Sequence, residues 1–226
     1  MIYYYLDMRT TNHSSEANNM ELSVSILNAE DKIKMINILN TANISYVHLD
    51  VMDGYFVSQK SLPLDEIKEL SKASEKKLDV HLMVKDPLEY IENIKELPNI
   101  EYITIHLDID KDIKNILSRI RTCGYKAGLS IKPNTDINKL LPYLEELDLV
   151  LLMTVEPGLG GQPFIPSSSE RLKELKELIP NNIKLEVDGG INNITINNVP
   201  EADIAVVGSY ITKSDNIIER INSLNV

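Results

Sequence analysis

From Leu22 to the C-terminus, short apolar runs alternate with longer stretches in which apolar residues recur three and four positions apart. The first pattern has the period of a half-buried or buried strand, the second that of a helix packed on one face. Strands are predicted at 22–27 (LSVSIL), 45–51 (SYVHLDV), 78–83 (LDVHLM) and 101–106 (EYITIH). They continue at 126–131 (KAGLSI), 148–153 (DLVLLM), 183–187 (IKLEV) and 203–207 (DIAVV). Helices are predicted near 30–42, 64–75, 88–96, 111–122, 136–146, 168–178, 192–198 and 215–224. The clearest amphipathic spacing is SERLKELKELI at Ser169–Ile179, and the weakest segment is the short one at 192–198.

Eight β/α pairs in roughly two hundred residues, with no long linker, give the arithmetic of a single-domain (β/α)8 TIM barrel over 21–226. The rival is a doubly wound open sheet, but its Gly-x-Gly-x-x-Gly turn is absent after the first strand. In a barrel, chemistry belongs at the C-terminal ends of the strands. Residues 1–20 lack the apolar core of a signal peptide and are polar from Thr10 to Asn19. They are expected to be a poorly ordered extension, with Met20 a candidate start.

Composition narrows the partners. A hydrophobic share of 43% and a charged share of 25% are those of an ordinary globular protein. A net charge of −11 argues against a nucleic-acid partner. It leaves room for a small phosphorylated substrate, because backbone N–H groups can hold phosphate without lysine or arginine. No apolar run has the length of a membrane span. Cys123 is the only cysteine, so no intrachain disulfide forms and a cytoplasmic, reducing location is expected.

The strand ends carry the candidate chemistry. His48 and Asp50 lie two residues apart in YVHLDVMDG and project to one face; His81 lies in KLDVHLMV and Asp188 in IKLEVDGGI. Two imidazoles and two carboxylates form a ligand set for one divalent ion. Either residue alone would be read as a capped strand end, but four such groups on three strands favour a metal site. Glu186 shares the face of Asp188, either as an interior layer residue or as an acceptor that orients a ligand. Met52, Met83 and Met153 fall in register on the site side, as core packing or as an apolar wall beside the chemistry. Glycines crowd three successive strand ends, in VEPGLGGQPF (155–164), Asp188-Gly189-Gly190 and Val207-Gly208-Ser209. Loops of this kind can cradle phosphate. Lys132, in LSIKPN, offers a rival Schiff-base chemistry, but a solvated amine beside Pro133 is the preferred reading.

In this order the segments Ser23–Leu27, Val47–Gly54, Asp79–Met83, Leu152–Gln162, Val187–Ile191 and Val206–Ser209 resemble the ribulose-phosphate 3-epimerase family. The resemblance spans about Leu22 to the C-terminus. It implies a TIM barrel, one divalent metal (Zn, Fe, Mn or Co) and interconversion of D-ribulose 5-phosphate with D-xylulose 5-phosphate. By motif it makes His48, Asp50, His81 and Asp188 the metal ligands, with Asp50 and Asp188 also the acid/base pair. Ser25, His81 and Leu159 become substrate contacts. Gly158, Gly160, Gly161, Gly189, Gly190, Gly208 and Ser209 become the phosphate site, and Met52, Met83 and Met153 the methionine wall. A homo-oligomer is expected. The chain departs from the family pattern at Asp108, where Glu is usual, at Lys132, where Asn is usual, and in the 58–62 loop. A related epimerase for a six-carbon ketose phosphate and a non-catalytic sugar-phosphate barrel are the alternatives.

Overall fold

A computed structural model describes residues 20–226. Apart from Met20, the expected N-terminal extension lies outside the described residues. Eight parallel strands form the barrel wall: β1 (Glu21–Ser25), β2 (Tyr46–Asp53), β4 (Lys77–Met83), β5 (Ile100–His106), β6 (Lys126–Ile131), β7 (Leu149–Met153), β8 (Lys184–Asp188) and β9 (Ile204–Val207). β1 pairs with both β2 and β9, so the sheet closes. The open doubly wound alternative is therefore set aside. A two-residue strand, β3 (Lys60–Ser61), adds antiparallel to the end of β2 within the diverged loop.

The outer layer comprises α1 (Lys32–Asn40), α2 (Leu64–Ala73), α3 (Pro87–Ile94), α4 (Ile113–Thr122), α5 (Ser168–Leu178), α6 (Ser209–Thr212) and α7 (Ile217–Asn222). Asp31, Asp112 and Asn216 start three of them by accepting an N–H from the first turn. Two predicted helices come out differently. Residues Ile137–Glu146 wind as a 3₁₀ helix around Pro142, which removes a backbone donor and crowds the preceding turn. The short seventh segment tightens to a 3₁₀ turn at Thr195–Asn198. The single turn α6, directly after β9, is too short to leave a periodic signature. The more complete apolar stripe belongs to α4, which buries Ile113, Ile116, Leu117 and Ile120, whereas α5 buries Leu172 and Leu175 along with Ser168. Among the described residues no helix is long and apolar enough to cross a membrane.

Strand alternation divides the interior into two cores. Val47, Leu49 and Val51 point outward into one apolar layer between strands and helices, together with Val80, Leu82, Ile103 and Ile105. The inward positions build the barrel lumen. Its floor is apolar and aromatic: Tyr46, Tyr102, Leu149 and Ile204 pack together, with the two rings edge to face at 5.7 Å. Above the floor the inward residues turn polar: Ser23, His48, Asp79, Thr104 and Glu186, then Ser25, Asp50, His81, His106 and Asp188. The fold thus stores buried charge at one end of a closed lumen.

Gly128 sits among these layers because nothing larger fits. A Cβ there would lie 2.2 Å from Thr104 Oγ1 and 3.1 Å from Leu149 Cδ2. Gly128→Val should overpack the lumen and cost about 2 kcal/mol, a fall in thermal midpoint of roughly 4–8 °C. A melting curve of the metal-free variant checks this; an unchanged midpoint would mean that the lumen is looser than described.

Candidate active site

Strand register assembles the site. Asp50 on β2 lies beside His81 on β4, and Ser25 on β1 lies beside His48 on β2. Asp188, at the end of β8, faces the same space from two strands beyond β1. The candidate ligand atoms of His48, Asp50, His81 and Asp188 all lie within 4.8 Å of one another. Individual separations are 3.5 Å for His48 Nε2 to Asp50 Oδ1 and 4.0 Å for His48 Nε2 to Asp188 Oδ2. His81 Nδ1 is 3.7 Å from Asp50 Oδ1 and 3.9 Å from Asp188 Oδ2. All four sequence-chosen ligands therefore meet.

The remaining ring nitrogens are held from behind. His48 Nδ1 lies 2.6 Å from Asp79 Oδ2, which also accepts from Ser23 Oγ at 2.8 Å. With Nδ1 donating to Asp79, loss of the second ring proton turns an Nε2 lone pair toward the site. His81 Nε2 lies 2.8 Å from His106 Nε2, and His106 packs against Phe56, the rings tilted with centres 4.6 Å apart. Both site-facing nitrogens, His48 Nε2 and His81 Nδ1, are buried without a hydrogen-bond partner among the described residues. Buried polar atoms are rarely left so unless something else satisfies them. The donor set, the orphaned nitrogens and the oriented rings fit a divalent cation with nitrogen and oxygen ligands.

Electrostatics point the same way. Burial disfavours charge on His48, but Asp79 and Asp50 overcome it and raise its pKa well above the ordinary value. Burial also pushes Asp50 up, yet His48 and His81 hold it well below the usual carboxylate range. Asp188 behaves oppositely: burial first, then the Asp50 carboxylate, raise it to about 6. Glu186, buried beside Asp79, is raised well above its usual value, first by burial and next by that carboxylate. The metal-free pocket thus draws protons onto His48, Glu186 and Asp188, the response of a site short of positive charge.

A cavity opens above these groups. Ser25, Asp50 and Asp188 line it, and Ser25 Oγ donates to Asp50 Oδ2 at 2.6 Å. Met52, Met83 and Met153 form its apolar side, with Met52 next to Met83 and Met153 next to Asp188 in register. Gly158, Leu159, Gly160, Gly161, Gly189, Gly190, Gly208 and Ser209 line its far end. Gly190 has φ +68°, and a Cβ there would meet the Phe164 backbone nitrogen at 2.3 Å, so side chains are excluded. The N–H groups of Gly161 and Gly190 find no acceptor among the described residues. His48 and His81 lie fully buried beneath this cavity.

Lys132 stays outside it. Its ammonium sits 4.8 Å above the Phe56 ring and 3.9 Å from Asp108, and about a third of the side chain is exposed. That is a solvated amine, not a desolvated Schiff-base lysine. Asp79 and His106 were missed as supporting residues, although Asp79 stands two positions before His81 on the same strand face. Asn28 was missed as well; its side-chain amide closes on Gly160, where a Cβ would come within 2.2 Å.

Residues 21–212 match the model of the Ribulose-phosphate 3 epimerase family. Ribulose-phosphate 3-epimerase of Helicobacter pylori strain J99 is 34% identical over 200 residues, covering 86% of this chain and 92% of that protein. The enzyme of the same name from Buchnera aphidicola is 38% identical over 202 residues, covering 84% and 86%. Among solved structures, 3-hexulose-6-phosphate synthase of Salmonella typhimurium superposes with a TM-score of 0.64 at 16% identity, over 91% of this chain and 96% of that one. That likeness speaks for the barrel alone. The family match and the relatives, carried by the strand ends that build the cavity, establish that the chain belongs to the ribulose-phosphate 3-epimerase family and is an epimerase.

Proposed function

We propose that the protein inverts carbon 3 of a ketose phosphate, interconverting D-ribulose 5-phosphate and D-xylulose 5-phosphate, with one divalent ion held by His48, Asp50, His81 and Asp188. The observation that carries this reading is the convergence of those four ligand atoms within 4.8 Å at the base of a cavity. Bound there, the ion supplies Lewis-acid stabilisation of the negative charge that develops on the substrate oxygens, a contribution of several kcal/mol.

This chain's residues do the rest. Asp50, held ionised by His48 and donated to by Ser25, accepts the carbon-3 proton on one face. Asp188, whose raised pKa keeps it ready to carry a proton, delivers one on the other face. Inversion needs two carboxyl groups in opposite protonation states, and their unlike surroundings split the pair in that sense. Met52, Met83 and Met153 keep water from the carbanion-like centre. The glycine loops, with Ser209, take the phosphate at the far end through backbone N–H groups, and Leu159 covers it.

Asp50→Asn and Asp188→Asn should each lower turnover at least about a thousandfold while circular dichroism stays native, since each removes an acid/base group that is also a ligand. A coupled assay on the pentulose 5-phosphates and on the corresponding ketohexose 6-phosphates tests the substrate. Activity confined to the six-carbon esters would redirect the reading to the sister epimerase.

The metal-free protein should also show a defined pH dependence. Asp188 binds a proton more tightly folded, at about 6, than at its ordinary 3.8. Its contribution to stability is complete below 3.8 and is lost as pH rises through about 6. The raised Glu186 acts in the same sense, whereas the lowered Asp50 and Asp79 contribute stability throughout this range and lose it only at more acidic pH. Denaturant midpoints should therefore fall as pH rises from 4 to about 7, with a smaller slope in Asp188→Asn. A flat profile would show that the pair is not split as described.

A further inference from the structure

The cavity presents a dianionic substrate with an electrostatic difficulty. Among the described residues three carboxylates line it, Asp50, Glu156 and Asp188, and no lysine or arginine does. Even with a divalent ion beneath, the phosphate end lies among neutral backbone, in a chain of net charge −11. Past Gly161, Gly190 and Ser209 the cavity runs into a second, wider groove, and among the described residues one cation lines that groove: Lys213.

We infer that Lys213 is a specificity-determining residue that pairs its ammonium with the phosphate group of the substrate at the Gly161–Ser209 edge. The inference rests on the epimerase reading above and adds to it a charge partner for the phosphate.

The geometry supports the assignment. A Cβ built on Gly161 would lie 3.6 Å from Ser209 Oγ and 3.8 Å from Lys213 Nζ, so hydroxyl and ammonium converge on the same glycine. The backbone behind them is fixed. Lys213 N donates to Ser209 O at 3.2 Å, Ile211 N and Thr212 N donate to Gly208 O, and Ile211 is fully buried. Lys213 stands four residues after Ser209, one turn above it on the same side of the chain.

No carboxylate pairs with Lys213 among the described residues, whereas the neighbouring Arg220 is engaged: it lies 4.7 Å from the Tyr210 ring centre and outside the groove. An ammonium on a flexible stem can serve a tetrahedral dianion as a point charge. Neutral N–H groups recognise the shape of the phosphate; Lys213 would add preference for its charge.

Lys213→Met and Lys213→Arg, assayed as full-length metal-loaded protein, test the inference. In Lys213→Met the KM for D-ribulose 5-phosphate and the inhibition constant of inorganic phosphate should both rise about tenfold, while kcat falls less than about threefold. Lys213→Arg should restore both constants to within about threefold of the parent protein, because the charge returns. A merely structural role would lower the thermal midpoint and would not be rescued in this way. KM and the phosphate inhibition constant within twofold of the parent in Lys213→Met would overturn the inference. Should the parent protein fail to turn over D-ribulose 5-phosphate, the epimerase reading fails separately. Calorimetric titration of parent and Lys213→Met with inorganic phosphate then decides this one: about tenfold weaker binding in the variant supports it, and equal affinity overturns it.

Discussion

Everything at the working end of this barrel follows from one constraint: carboxylates are packed against imidazoles where water cannot reach them. Asp79 is fully buried beneath His48, and Asp50 is nearly so beside it. Charges in such a place must be paired or bound to a cation. Pairing from behind is visible for His48 through Asp79 and for His81 through His106. The nitrogens left over are the two that face Asp50 and Asp188. The scaffold thus uses its closed lumen, an apolar floor of Tyr46 and Tyr102, and a polar upper half to bring together a candidate cation site.

The three departures from the family pattern fall together in space. Asp108 follows β5, Lys132 follows β6, and the diverged 58–62 loop begins just beyond Phe56. Lys132 approaches Asp108 and sits over Phe56, which in turn covers His106. The ammonium thus ties the loop after β2 to the wall of the barrel. His106 itself is buried and held well below its usual pKa, by burial first and by His81 next. These changes adjust the cover over the imidazoles and leave the four converging groups in place.

Much of this was legible in the sequence because strands announce themselves locally. Period-two apolar runs placed all eight barrel strands to within about two residues, and the same alternation put His48 beside Asp50 on one face. Where prediction slipped, the cause was geometric. Pro142 turned one helix into a 3₁₀ segment, and the single turn α6 was too short for any periodicity to show. Asp79 and His106 were harder to see, since their importance lies in contacts between strands. Asp79 matters because it touches His48, thirty-one positions away in the chain. Lys213 was invisible for a related reason: an isolated lysine near the C-terminus gains meaning only when β9 and α6 bring it beside Gly161.

The central claim is that His48, Asp50, His81 and Asp188 form one site for a divalent ion. Calorimetric titration of chelator-stripped protein with Mn²⁺ or Zn²⁺, repeated in buffers of different ionisation enthalpy, tests it most directly. The account predicts one ion bound per chain with release of protons, because the metal-free site favours a proton on His48 and, below about pH 6, on Asp188. It also predicts that His48→Ala weakens binding at least about tenfold, the usual cost of disturbing a ligand. Full epimerase turnover in protein shown to be metal-free, or no ion bound at millimolar concentration, would contradict it.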